Sequence, residues 1–337
     1  MLYLSEVKGV EGFEAKVVAK SAWRNDELGE YPIVTFELTY PRLIHSEFMT
    51  HRLFSRNAAS SRAIPIKKMI QQIKHNPARP VHWGKNKSGM QADGELGAVK
   101  KWIAQKLWSS AARSAGRIAQ LMDRAGVHKQ IANRILEPFQ HIRVVMTTTD
   151  IGNFMNLRDH EDAQPEIRYL AELMSQAYEK AETAYLQSDD WHTPYFEKGY
   201  WKGVNYEKTI NDDGELVATS RMVNIHGFTL DDALRVSASC AAQASFRSLD
   251  NSLARARRIY KRLVESKPIH ASPFEHQASP MHYDDEIKFD RRFYEWSKGV
   301  THQDCNGDLW SGNFCGWIQH RQLIREHNAL DRKLEAT

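Results

Sequence analysis

Cysteine is scarce in this chain: 337 residues hold three, Cys240, Cys305 and Cys315, with no Cys-x-x-Cys pair and an odd total. That excludes a disulfide framework or a cysteine zinc site and predicts reduced thiols. Long apolar runs are missing as well. Stretches such as Val144-Val145-Met146 are a few residues long, against the roughly 20 needed to cross a bilayer, so no membrane span is expected. The opening Met1-Leu-Tyr-Leu-Ser-Glu-Val-Lys8 lacks a basic segment followed by an apolar one, which predicts no secretory leader and a cytoplasmic protein. Nor does one sign of charge dominate. With 46 Lys and Arg against 42 Asp and Glu, the formal net charge of +4 is too small to argue for a nucleic-acid partner by itself. No internal repeat or low-complexity tract is apparent. What is present, 42% hydrophobic and 26% charged residues, suits a folded protein of one large domain or two ordinary ones.

Periodicity predicts the main elements. Ile33 to Tyr40 alternates as a strand that Pro41 ends. Leu43 to about Phe54 has helical spacing, and the small, polar segment Ser55–Pro65 then reads as a loop. A long irregular loop covers about 76–96. A helix from about Gly97 to Arg124 follows, with Trp102, Ile103, Leu107, Ala111, Ile118 and Leu121 as its core face and Gly126 as its cap. After a shorter helix, about His128 to Leu136, the β-branched run Ile142–Thr149 predicts a strand. A second long helix begins at Pro165 and carries a core stripe of Ile167, Leu170, Leu173, Met174, Ala177, Tyr178 and Ala181 through about Leu186. Gln187 to Gly214 has no period. This divides the chain into 1–186, a linker or insertion at 187–230, and a C-terminal part at 231–337, as separate parts or as one combined domain. That last part holds a helical pattern from Leu230 to Phe246 and a basic helix, Ser252 to about Glu265, with Arg255, Arg258 and Arg262 on one face.

Three segments place polar groups where neither core nor solvent face requires them. Thr50-His51-Arg52 leads to Ser55, Arg56, Asn57, Ser60, Ser61 and Arg62, a set of hydroxyls, guanidiniums and small residues suited to a phosphate. Asn153-Phe-Met-Asn156-Leu-Arg158-Asp-His160, followed by Ala163-Gln-Pro-Glu166-Ile167, puts directional donors before a helix N-terminus. His270-Ala-Ser272-Pro-Phe-Glu275-His276 has the spacing of no known zinc signature, and Pro273 interrupts any helix that would align ligands, so no metal is expected.

Together these segments resemble the flavin-dependent thymidylate synthases. The family signature is Arg-His-Arg, two residues, Ser, one residue, Asn-Glu, one residue, Ser, one residue, Arg; His51, Arg52, Ser55, Asn57, Ser60 and Arg62 stand in register with it. The family's second block, Asn-Phe-Leu-Asn-Leu-Arg with Ala-Gln-x-Glu-Ile, is met by Asn153–Arg158 and Ala163–Ile167. Arg134, in Arg-Ile-Leu-Glu-Pro, is similar to the family's Arg-Ile-Val-Leu-Pro arginine. The resemblance implies an α/β (α+β) fold, a mixed sheet flanked by long helices. It implies that Ser60, Ser61, Arg62 and Arg134 hold a deoxynucleoside monophosphate, and that Arg158 contacts the pyrimidine as the catalytic group. It implies that His51, Arg52, Ser55, Asn57 and Asn153 contact FAD. The implied reaction is reductive methylation of dUMP to dTMP, with 5,10-methylenetetrahydrofolate as one-carbon donor and NADPH as reductant, in a homo-oligomer, a tetramer with shared active sites.

The chain also departs from that pattern. Thr50 replaces the signature's first Arg, Ala58 its Glu, and Glu47 the Gln of the lead-in, so the acceptors and donors offered to a ligand change. A second reading follows: another pyrimidine nucleotide such as dCMP as substrate, or hydroxymethylation. The His270–His276 segment precedes the signature in family members and follows it here, which implies a rearranged order with His270, Ser272 and Glu275 as flavin contacts. Gln319 and Arg321 then become candidates for the Gln and Arg missing near Thr50. A third reading, a non-catalytic nucleic-acid-binding protein using Arg56, Arg62 and the basic helix, lacks any aromatic-stacking motif, so no nucleic acid is expected as partner.

Overall fold

Five antiparallel strands and one short parallel strand build the central sheet in the computed structural model. The structure describes residues 2–25, 29–88, 94–202, 205–210, 214, 216–221, 223–224, 226–244, 249–281 and 298–328. The strands are β1 (Ser5–Lys8), β2 (Glu14–Asn25), β3 (Gly29–Pro41), β4 (Ser55–Ala58), β5 (His141–Thr148) and β6 (Ala184–Tyr185). Their order is β1-β2-β3-β5-β4, with β6 running parallel beside β2. Helices α1 (His45–Phe48), α2 (Ile66–His75), α3 (Ala98–Arg124), α4 (Lys129–Ala132), α5 (Ile151–Arg158) and α6 (Pro165–Lys180) belong to the same half; α7 (Leu230–Gln243) and α8 (Leu253–Glu265) follow. The fold is thus mixed α+β, a sheet flanked by helices.

Register assigns each face. Phe36, Leu38 and Tyr40 of β3 pair with Met146, Val144 and Ile142 of β5, and this apolar face packs on Ile167, Leu170, Leu173, Met174 and Ala177 of α6. The other face carries Thr35 and Glu37, paired with Thr147 and Val145. It is covered by the second half of the chain. Small strands there include β7 (Trp191–His192), β8 (Tyr200–Trp201), β9 (Asn205–Ile210), β10 (Leu216–Arg221), β11 (Ala278–Pro280), β12 (His302–Gln303), β13 (Leu309–Ser311), β14 (Phe314–Cys315) and β15 (Trp317–Gln319). β15, β11, β7 and β8 form one sheet, and Tyr195, Trp201, Val236 and Cys240 pack with Val18 and Val145 of the central sheet. Because both faces are covered, β3 is buried on both sides along most of its length.

Several expected elements differ. The strand β2 has no clean alternation because a bulge lies between Val17 and Ala19, so that Val17 and Val18 are both buried, one in each core. The helix expected over Leu43–Phe54 is only a 3-10 turn, Arg42–Ile44, and the four-residue α1. Its apolar residues share a destination rather than a helix: Phe48 and Phe54 both pack on Phe154, at ring distances of 6.0 and 5.2 Å. Part of the expected loop 55–65 is the edge strand β4, four polar or small residues too short to show a period. The expected long helix stops at Lys180, and the chain extends so that Ala184 and Tyr185 pair with β2. Residues 151–158 add the helix α5. Of the helical pattern Leu230–Phe246, the last two residues lie outside the described residues, and the helix covers Leu230–Gln243.

The largest correction concerns α3. Its expected core face is on the outside, with Trp102 59%, Leu107 66% and Leu121 60% exposed. The buried face is instead the narrow row Ala112, Gly116 and Ala119, whose small side chains let α3 lie close to Ile66, Met69, Ile70 and Ile73 of α2.

A buried polar row crosses the sheet on its second face. Ser21 Oγ bonds His192 Nδ1 at 2.9 Å, His192 Nε2 bonds Thr35 Oγ1 at 2.9 Å, Thr35 bonds Thr147 at 2.7 Å, and Thr147 bonds His276 Nδ1 at 2.8 Å. Burial pushes both imidazoles down to about 3, with the neighbouring His276 adding to the shift of His192. In the unfolded chain each protonates near about pH 6.5, so between there and about pH 3 the unfolded state binds more protons. Stability from keeping them neutral is complete above that window and falls with pH through it, by up to about 1.4 kcal/mol per pH unit for each ring. The melting temperature is therefore expected to fall on acidification from about pH 6.5, and His192→Gln and His276→Gln to flatten the slope; slopes equal to that of the wild type in both variants would assign the acid sensitivity elsewhere.

Candidate functional site

Strand β4 and the turn before it form the frame of the site. The edge strand pairs with β5 in the register Ser55↔Thr147, Arg56↔Met146, Asn57↔Val145 and Ala58↔Val144. From this strand Arg56 reaches back and donates from Nη1 to the carbonyls of Phe48, Met49 and His51 at 3.4, 2.8 and 3.0 Å. One guanidinium thus ties three carbonyls of the turn after α1 together and holds that turn, with His51, against the sheet. Helix α5 arrives from the other side. Asp150 caps it by accepting from the Asn153 amide at 3.1 Å, and Phe154 fixes it in the aromatic cluster.

One turn beyond Phe154, Arg158 donates from Nε to His51 Nε2 at 2.9 Å and from Nη1 to Glu47 Oε1 at 2.8 Å. His51 accepts, so its Nε2 carries no proton. Burial, Arg158 and Arg56 bring its pKa down to about 4, which keeps the ring neutral near pH 7. Glu47, which replaces the usual Gln, therefore holds Arg158 as an ion pair.

A second cluster lies beyond His45, whose Nδ1 bonds the Tyr40 hydroxyl at 2.9 Å. Its pKa is lowered to about 4 by burial and by Arg42 and Arg56, with Glu137 opposing, so the field of Arg56 reaches both His45 and His51. Here Glu137 Oε1 accepts from Ser61 Oγ at 3.0 Å and Arg134 Nη1 at 3.0 Å, and pairs with Arg42 Nη2 at 3.3 Å. Asn133 fastens the adjoining loop by donating to the carbonyls of Ser61 and Ile64 at 2.7 and 2.9 Å. Ser61 and Arg134 are therefore together. Ser60 is half-buried beside them, and Arg62 points to solvent with no hydrogen bond among the described residues.

The second half of the chain meets the same strand. Ser55 Oγ donates to Asn313 Oδ1 at 3.1 Å and accepts from Gln319 Nε2 at 3.2 Å, while Asn313 Nδ2 donates to the Leu53 carbonyl at 3.0 Å. Asn57 is buried and donates to the Ala241 carbonyl at 3.3 Å, leaving its Oδ1 unpaired. Glu275 pairs with Arg321; burial raises its carboxyl pKa, against the pull of Arg321 and Arg56. So the C-terminal Gln319 lies at Ser55, and Arg321 lies at Glu275, which shares the field of Arg56.

The donors suited to a flavin dinucleotide divide into two groups. The side chains of Arg52, Asn153, His270 and Ser272 are exposed and make no hydrogen bond among the described residues, while His51 is bonded by Arg158. A guanidinium, an amide, an imidazole and a hydroxyl suit a pyrophosphate and the polar edge of a ring system, and the unpaired Asn57 Oδ1 offers an acceptor. This donor set fits the cofactor in kind. Ser55 and Glu275, by contrast, are already committed to Gln319, Asn313 and Arg321. Cys240 and Cys315 have thiols that burial pushes up to about 12, which disfavours a thiolate nucleophile. No group of three potential metal ligands, and no helix long and apolar enough to cross a membrane, occurs among the described residues.

Residues that sequence reading missed are Arg42, Glu137 and Asn313. Only Glu137 had a signal, since a carboxylate stands where the Arg-Ile-Val-Leu-Pro block has Leu.

Comparison with known proteins gives one family: residues 15–181 match the model described as thymidylate synthase complementing protein. No curated protein matches the chain. Among solved structures the chain is similar to a UMP/dUMP methylase, PolB from Streptomyces cacaoi, bound with 5-Br dUMP. That similarity has 20% identity and a TM-score of 0.36, over 44% of this chain and 68% of that one.

Proposed function

We propose that this chain, whose residues 15–181 belong to the thymidylate synthase complementing protein family, is a flavin-dependent methyltransferase that converts dUMP to dTMP. It takes the one-carbon unit from methylenetetrahydrofolate and reducing power from NADPH. The observation that carries this reading is the meeting of His51 and Arg158, 107 positions apart and 2.9 Å distant. They come from two sequence blocks that resemble the family independently, and the fold brings both to one place.

FAD, when bound, supplies the hydride chemistry. The chain's own residues then bind and orient. Arg158, held by neutral His51, presents a fixed positive charge to the pyrimidine and stabilises negative charge that develops on it. Ser61 and Arg134, with Ser60 and Arg62 nearby, are the donors for the phosphate. Arg52, Asn153, His270 and Ser272 are the donors for the flavin.

A second reading has its own observation. Glu47 already neutralises Arg158 at 2.8 Å, and a carboxylate there can accept from the exocyclic amine of a cytosine. That favours a cytosine deoxynucleotide as substrate, or a hydroxymethyl product. The nucleic-acid-binding alternative loses Arg56, which is committed to three carbonyls, while Arg62, Arg255, Arg258 and Arg262 remain exposed.

The exposed face of α3, with Val99, Trp102, Ile103, Leu107, Ile118 and Leu121, is an apolar stripe along a 27-residue helix. Stripes of this extent mark contact surfaces, and a second copy of the chain is the occupant that fits a homo-oligomeric enzyme.

Three outcomes are expected. The protein incubated with FAD and desalted retains an oxidised-flavin spectrum, and Arg158→Ala keeps that spectrum and its melting temperature while turnover of dUMP falls by roughly 100-fold or more; full turnover in this variant would remove Arg158 from the reaction. Product mass spectrometry with dUMP and dCMP side by side identifies the base, and Glu47→Gln shifts the ratio toward dUMP by about 10-fold; dTMP as the sole product of the wild type would eliminate the cytosine reading. Sedimentation of the double variant Leu107→Glu, Leu121→Glu gives a smaller mass than the wild type, and an unchanged mass would free α3 from the assembly.

A further inference from the structure

We infer that Glu137 is a resident anion in the phosphate cradle, and that a ligand's phosphate must displace its carboxylate in order to bind. The inference deepens the methyltransferase reading, on which its nucleotide arm rests. It begins from one oxygen. Glu137 Oε1 takes Ser61 Oγ at 3.0 Å, Arg134 Nη1 at 3.0 Å and Arg42 Nη2 at 3.3 Å, from three separate segments of the chain. Two guanidiniums and a hydroxyl converging on a single oxygen is the donor arrangement that a phosphate oxygen requires.

The backbone of the cradle is fixed independently of the carboxylate. Asn133 ties the Ser61 loop down through two carbonyls, and the Arg42 amide donates to the Gln140 carbonyl at 2.8 Å. The segments that carry the donors therefore stay in place when Glu137 leaves, and the guanidiniums it ordered pass to the phosphate. The glutamate can leave, because its side chain is 24% exposed and rotation about its own bonds carries it to solvent. If it stayed, a phosphate would meet a like charge at contact distance, where repulsion is strong. Displacement sets a threshold. Inorganic phosphate has only the cradle with which to compete, whereas a nucleotide adds contacts at the Arg158 end. Glu137 thus discriminates against free phosphate and other small anions, while also keeping the guanidiniums ordered between turnovers.

The test is isothermal titration of the full-length wild type, Glu137→Gln, and Glu137→Gln combined with Arg134→Ala, with inorganic phosphate, dUMP and deoxyuridine as probes. Glu137→Gln should bind inorganic phosphate and dUMP at least about 10-fold more tightly than the wild type. Its affinity for deoxyuridine should not change, and the second substitution should abolish the gain. Glu137→Leu, the residue type of the family block, serves as the second variant if the glutamine form melts early. Phosphate affinity unchanged or weakened in these variants would overturn the inference and make Glu137 a structural tie. So would an equal change for deoxyuridine. The inorganic phosphate arm does not require a nucleotide substrate, so tighter phosphate binding with no binding of dUMP supports the cradle and counts against the methyltransferase reading alone.

Discussion

The pairing of β4 with β5 is the constraint on which the site depends. Four residues, Ser55–Ala58, add an edge to the sheet and present different side chains in opposite directions. Ser55 and Asn57 turn toward the second half of the chain, where Asn313, Gln319 and Ala241 receive them. Arg56 points the other way and fastens the turn that holds His51. A one-residue slip in register would exchange these directions, release the turn and bury a guanidinium against α7. Edge strands are easily lost, and this one is secured by side-chain hydrogen bonds on both faces rather than by length.

Charge balance follows from that frame. Five guanidiniums, those of Arg42, Arg56, Arg134, Arg158 and Arg321, gather along it with three carboxylates, Glu47, Glu137 and Glu275. His45 and His51 stay neutral near pH 7 because burial, and then the arginines, lower their pKa values to about 4. Positive groups outnumber negative ones along this frame, a field that favours an anion. Partly buried arginines without any partner would be costly, so the carboxylates stabilise the free protein.

How much of this was legible in the sequence depended on whether a residue's role was local. The strand at 33–40 was readable from its alternating side-chain types, the strand after Pro138 from its β-branched run, and α6 from an apolar stripe at helical spacing that is also its buried face. Strand β2 was not, since its bulge at Val18 breaks the alternation. The face of α3 was misassigned because an apolar stripe has the same spacing whether it covers its own core or another surface. His51, Arg134 and Arg158 were found through motifs, but their partners were not. The Ser61–Glu137 contact joins residues 76 apart and the Ser55–Gln319 contact joins residues 264 apart, and no period in the sequence records either.

The Ser272–Glu275 turn and the strand with Gln319 reach β4 through space, so their position in the chain matters only if the connections cannot span the distance. What matters is close approach. Gly316 has φ +70, and its carbonyl accepts from Trp23 Nε1 at 2.8 Å; a Cβ at that position would lie 2.2 Å from the ring of Tyr31. Gly199, at φ +95, would place a Cβ 2.6 Å from that of Ala19 in β2. At these two points the covering half touches the sheet backbone-close, in conformations that favour glycine. The seating of Gly316 on the stacked Trp23 and Tyr31 rings holds the segment that continues to Gln319, and through Gln319 it sets the position of Ser55. A glycine that carries no side chain into the site thereby helps to set its wall through Gln319, so the second half of the chain is in contact with the strand that frames the site.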